Sequence, residues 1–133
     1  MEIVIKRSDF VNALDKVSGV LAAKPAITLL TGIYLEARDG ELMLVASDLE
    51  NTIRTTIKAE VVKKGTCLLP GKKLISLVKQ LKEDDVKMSL RELQMSIQTQ
   101  NSSYTFFGMN PDEFPKLIDS GIPTPLSFIT TVT

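Results

Sequence analysis

The chain repeats itself once, and that repeat limits its fold more than any single motif does. Slid along itself by 64 positions, Ile3 falls on Cys67, Ile5 on Leu69, Phe10 on Leu74, Val11 on Ile75, Ala13 on Leu77, Leu14 on Val78 and Val17 on Leu81. Asn12 meets Ser76, so a polar slot stays polar. Both copies have the form of a short apolar strand running into an amphipathic helix. Two copies are too few for a solenoid, which stacks three or more units to bury a continuous core. They fit one domain with an internal pseudo-two-fold axis, and 133 residues that are 44% hydrophobic suffice for one core.

The second helix is the clearer of the two. Over Pro70 to Lys82, Leu74, Ile75, Leu77, Val78 and Leu81 recur at three-and-four spacing and form one buried stripe. Lys72, Ser76 and Lys79 fall on the opposite stripe, with Lys82 close behind. No side chain there can attack, abstract a proton or hold a metal, so the role open to that face is to present positive charge. In the first copy Glu2 to Lys6 has strand period, and Ser8 with Asp9 supplies an N-cap and an acidic first turn. Phe10, Leu14, Val17 and Leu21 form its buried stripe, while Asp9, Asn12 and Lys16 make a weakly basic outer face. Pro25 disfavours helical geometry before it, ending the helix by Ala23 or Lys24. The apolar loop that follows packs down through Ile27, Leu29 and Leu30 and leaves Lys24 projecting.

From Gly32 the period changes to two. Ile33, Leu35 and Ala37 alternate, Asp39-Gly40 makes a hairpin turn, Leu42, Leu44 and Ala46 return, and Asn51 to Val61 reads as one further strand. Val86 to Leu90, Leu93 to Thr99 and Ser103 to Met109 repeat the three strands. Matching Leu42 with Leu93 gives an offset of 51, so the second copy is shorter by about a dozen residues, mostly after its helix. The expected fold is α+β, with eight strands and two helices arranged as strand-helix-three strands, twice. Asn110 to Leu117 is turn-like, with Phe114 as an anchor. Asp119 to Pro125 has linker composition, and Leu126, Phe128, Thr130 and Val132 alternate as one more strand with nothing to pair it. The expected division is a domain over 1–117, a linker over 118–125 and the truncated start of a following domain over 126–133, the chain being the first domain of a longer protein.

Acidic and basic residues balance at 16 each, so any nucleic-acid contact rests on local placement of lysines. Histidine is absent, which removes the commonest general base. The lone Cys67 lies in strand period as a small buried hydrophobe. Asp48 with Glu50, and Glu83-Asp84-Asp85, lack a third convergent ligand and are explained by turn chemistry. No metal and no cofactor are therefore expected, and no Gly-rich phosphate loop or Ser or Cys with a base points to catalysis. No apolar run reaches membrane-spanning length, so a cytoplasmic protein is expected. Tyr104, Phe106 and Phe107 fall on a candidate edge strand, where alternation turns at least one aromatic outward.

The run KVSGVLAAKPAITLLTGIYLEARDGELMLVASDLE, with LPGKKLISLVKQL and DEFPKL, resembles the N-terminal domain of the bacterial DNA polymerase III β subunit, the sliding-clamp family. The resemblance covers Met1 to about Leu117. It is carried by the register of VSG, Lys24-Pro25, and DG followed by SDLE. It implies a DNA-clamp fold, with antiparallel sheets outside and both helices on one face, in a protein of three such domains. Two subunits of that kind close head-to-tail around double-stranded DNA, without base specificity, and tether the replicative polymerase. By the resemblance Lys24, Lys72 and Lys79 contact DNA, and Lys73, Tyr104 and Phe106 lie at the subunit interface. Polymerase and clamp loader would be bound by later domains. The competing reading is an α+β protein-interaction domain that uses an exposed edge strand and does not bind DNA.

Overall fold

Strand β1 (Glu2–Lys6) runs without a break into helix α1 (Arg7–Ser18), and β6 (Gly65–Pro70) runs likewise into α2 (Gly71–Gln80). The strand-helix repeat is thus present in both copies of this computed structural model, which describes residues 1–21, 28–82, 84–115 and 130–132. A 3-10 turn (Thr28–Thr31) leads into the meander β2 (Gly32–Arg38), β3 (Glu41–Ser47) and β4 (Thr52–Lys58). After α2 comes the second meander, β7 (Asp85–Arg91), β8 (Gln94–Gln98) and β9 (Ser103–Phe107). Two short strands are additional, β5 (Glu60–Lys63) and β10 (Thr130–Val132).

The strands form two five-stranded sheets, ordered β5-β1-β7-β8-β9 and β10-β4-β3-β2-β6. Each sheet is built by exchange between the copies. β1 joins the meander of the second copy, with Ile3 opposite Met88, and β6 joins that of the first, with Cys67 opposite Leu35. Leu35 and Met88 therefore hold equivalent places, as do Leu44 and Ile97, their partners on the next strands. That relates the meanders by 53 positions rather than the expected 51, and Leu42 corresponds to Met95, not Leu93. A slip of two preserves side-chain parity, so Leu42 and Met95 both face the core. Leu93 instead sits in the turn between β7 and β8 and is 42% exposed. Matching by residue type could not detect a turn that Glu92 makes with a positive φ of 56°.

The core draws on both helices and both sheets. Phe10, Leu14, Val17, Leu74, Val78 and Leu81 are all buried, as are the strand pairs Ile3 with Cys67 and Ile5 with Leu69. Every one of those positions is matched by the offset of 64. Asn12 and Ser76 are exposed in both copies. A smaller cluster covers the other face of the second sheet, where Phe114 is buried with Tyr34, Met43, Val45 and Leu68. The Phe114 ring stacks on Tyr34 at 5.6 Å between centroids and 3° between planes, which makes it the anchor expected for its segment. Leu30 is buried, whereas Ile27 lies outside the described residues.

Three features depart from expectation. The stretch from Asn51 to Val61 is two strands: β4 stays beside β3, and β5 crosses to pair with β1 in the other sheet. Ile57, Ala59 and Val61 all pack against the same core, so the apolar alternation continues while the hydrogen-bonding partner changes. The N-cap of α1 is Lys6, with no side-chain bond, and not Ser8. The helix needs no such cap because the Arg7 amide donates to the Asp84 carbonyl at 2.7 Å. Finally, Thr130–Val132 is paired, lying parallel to β4 with Thr131 opposite Arg54. An edge strand presents unpaired amides and carbonyls that any extended segment can use.

Candidate nucleic-acid interface

The two helices lie against each other and run in opposite directions. Arg7, at the start of α1, reaches the end of α2, where its Nε donates to the Val78 carbonyl at 3.2 Å and its Nη2 to the Lys79 carbonyl at 2.9 Å. At the other end Leu21, just past α1, and the Thr31 carbonyl crowd Gly71, the first residue of α2. The last carbonyls of a helix have no partner within it. A guanidinium from the neighbouring helix supplies one here and adds positive charge at the negative end of the helix dipole.

Away from the core the pair presents a polar surface. Lys72, Lys73, Ser76 and Lys79 are exposed on α2, and Ser8, Asp9, Asn12, Asp15 and Lys16 on α1. Three lysines on the one helix against two acids and one lysine on the other leave a surface with a modest positive excess, concentrated on α2. Its lysines are not equivalent. Lys79 Nζ lies 3.1 Å from Asp15 Oδ1 across the helix pair, while Lys72 makes no ion pair among the described residues. Asp15 and Lys79 occupy the same position in the two copies, so the internal two-fold brings them face to face. Lys24 lies outside the described residues.

The other three candidate residues gather around β9. Lys73 Nζ stands 5.9 Å from the centroid of the Phe106 ring, within cation-π range. Tyr104 is 37% exposed, but Phe106 is turned inward, 7% exposed, and belongs to the core. The aromatic that alternation forces outward is Phe107, at 71% exposure. Tyr104 shares the face of Phe106 and is exposed nearer the start of the strand, while Phe107 alone of the three aromatics stands on the outward face. β9 is the last strand of its sheet, and among the described residues nothing pairs along its outer side.

The chemistry available is that of contact. Burial pushes the Cys67 thiol up to about 12, so it stays protonated and unreactive. The Asp48 carboxylate is spent on its own turn, where Oδ1 accepts from the Glu50 amide at 2.9 Å and the Asn51 amide at 2.6 Å. Sequence reasoning missed Arg7 and the pairing of Asp15 with Lys79. For Asp15 a signal was present, since the repeat sets an acid in one copy where the other has a lysine.

Residues 1–118 match the family described as DNA polymerase III beta subunit, N-terminal domain. The chain belongs to that family. The beta sliding clamp of Staphylococcus epidermidis is 32% identical over 126 residues, which make up 88% of this chain and 33% of the relative. Among solved structures, the DNA polymerase beta subunit of Streptococcus pyogenes superposes with a TM-score of 0.83 at 24% identity, over 86% of this chain and 32% of that one. The Helicobacter pylori beta clamp, solved with a DNA ligase peptide, gives a TM-score of 0.81 at 27% identity over 86% and 32% of the two chains. The chain thus spans about a third of the length of the sliding clamps it matches. The α+β clamp fold, with its exchanged strand-helix units, is shared with them.

Proposed function

We propose that this domain is one unit of a ring that encircles duplex DNA and holds a replicative polymerase on its template, a non-catalytic processivity role exercised in the cytoplasm. In this reading residues 1–117 are the unit, 118–125 a linker and 126–133 the opening of the next unit. The observation that carries the proposal is the paired helices of a clamp-family domain, whose outward surface holds lysines and no reactive group. Lys24, Lys72 and Lys79 serve as phosphate contacts. Lysine offers a point charge without the bidentate geometry of arginine, and such contacts are weak and salt-sensitive, as a sliding protein requires. They carry no base information. Lys73, Tyr104 and Phe106 support the seam along β9, where the partner is another subunit arranged head-to-tail. Polymerase and clamp loader engage the ring outside this domain.

The test is retention on DNA. The assembled clamp is expected to stay on nicked circular duplex through gel filtration and to leave when the circle is cut. Replacing Lys24, Lys72 and Lys79 together by Ala is expected to shorten retention without lowering the melting temperature. Retention that ignores linearisation would sink the encircling role, and retention that ignores the triple substitution at low salt would sink the inner-face assignment.

A further inference from the structure

We propose that Asp15 weakens the grip on DNA by competing with phosphate for Lys79, an inference that rests on the inner-surface reading above. Lys79 Nζ and Asp15 Oδ1 are 3.1 Å apart, and both side chains are half exposed, 51% each. The lysine is therefore on the surface yet already has an anion. A phosphate must displace the carboxylate before it can use Lys79, whereas Lys72, on the same stripe of α2, makes no ion pair among the described residues. The pair joins equivalent positions of the two copies across the seam between the helices, at the last turn of α2. Asp9, the other exposed acid of α1, makes no ion pair among the described residues. Asp15 is thus singled out by geometry rather than by charge alone.

The consequence is quantitative. One more phosphate contact steepens the salt dependence of binding by about 0.9 in log-log slope, which at about 50 mM salt corresponds to roughly tenfold in affinity. An exposed ion pair contributes little to folding, so removing the carboxylate leaves the domain intact. Asp15→Asn is expected to bind duplex DNA about three- to tenfold more tightly, with a steeper salt slope. In the clamp it trades free sliding for a firmer hold.

The experiment follows amide shifts of the isotopically labelled 133-residue chain, titrated with a duplex of about 20 base pairs at low salt, a method that reads even millimolar affinities. Tighter binding by Asp15→Asn that disappears when Lys79→Ala is added, with Asp9→Asn changing affinity much less, establishes the proposal. An equal gain with Lys79→Ala present means simple removal of negative charge, and overturns it. No gain from Asp15→Asn while Lys72→Ala weakens binding overturns this inference and leaves the DNA-contact reading standing. Absence of binding by every variant overturns both.

Discussion

Arg7 shows how much one side chain can contribute without any local sequence sign. Its partners, the Val78 and Lys79 carbonyls, lie 71 and 72 positions away, and only the fold brings them within reach. Two charge-assisted bonds, one to the Lys79 carbonyl and one to the Val78 carbonyl that also accepts from the Leu81 amide, make Arg7→Ala expensive, about 2 kcal/mol in urea unfolding. Arg7→Lys is expected to restore only part of that, because an ammonium cannot span two carbonyls as the planar fork does. Equal stability of the Lys variant and the parent would mean that charge alone matters. Two buried groups set the alkaline limit. Tyr34 is pushed up to about 12, first by burial and then by the neighbouring Glu36, whose Oε1 accepts its hydroxyl at 3.3 Å; burial takes Cys67 to about 12 as well. Both fold in the protonated form with raised values, so their stabilisation is complete below the unfolded values, 10.0 for Tyr34 and 9.0 for Cys67, and is lost as pH climbs to about 12. A melting-temperature profile is expected to fall across roughly pH 9 to 12, less steeply from about pH 9 in Cys67→Ala and from about pH 10 in Tyr34→Phe. Profiles parallel to the parent would refute the assignment.

At the level of elements, the helices and most strands were legible because their apolar periods differ and each is long enough to show its period. Phe10, Leu14 and Val17 against Leu74, Val78 and Leu81 identify one stripe twice, and both stripes are buried. The break between β4 and β5 was illegible, because Ile57, Ala59 and Val61 keep one face inward whichever sheet supplies the hydrogen bonds. Of the proposed contact surface, Lys72, Ser76 and Lys79 were legible as the stripe opposite the core, while Asp15's hold on Lys79 depends on how the helices meet. Connections obey a different constraint, close approach. The Gly108 amide donates to the Leu93 carbonyl at 2.7 Å and the Met109 amide to the Leu68 carbonyl at 2.8 Å, so the chain steps there from β9 onto β6. A Cβ on Gly108 would stand 2.6 Å from that Leu68 oxygen, a backbone atom that cannot swing away. Gly108→Ala is expected to cost about 1–3 kcal/mol by overpacking. Gly19 is the control: it caps α1 with φ −62°, and a Cβ added to it would meet nothing within 4 Å, so Gly19→Ala is expected to add about 0.4–1 kcal/mol. Chemical denaturation of the two variants separates crowding from backbone entropy.

Across the whole molecule, the exchange of β1 and β6 makes β4 and β9 equivalent, each the outermost strand of its meander. They differ in what lies beyond them, since β4 carries β10 and β9 carries nothing among the described residues. Periodicity could not foretell this, because it says which face of a strand is buried and not which strand sits beside it. A bare edge with a largely exposed phenylalanine is a liability for a solitary domain and an asset for one that joins another. The two phenylalanines on β9 therefore separate stability from assembly. Phe106 is core, so Phe106→Ala is expected to cost about 3–5 kcal/mol of folding stability. Phe107, exposed, can become Lys with a change within about 0.5 kcal/mol in the isolated domain. In the assembled clamp the same Phe107→Lys is expected to weaken subunit association by about tenfold or more, as removal of an aromatic anchor from a seam does. Sedimentation equilibrium of the clamp, beside thermal melts of the domain, measures both effects. Unchanged association of the Phe107→Lys clamp would show that β9 does not form the proposed seam.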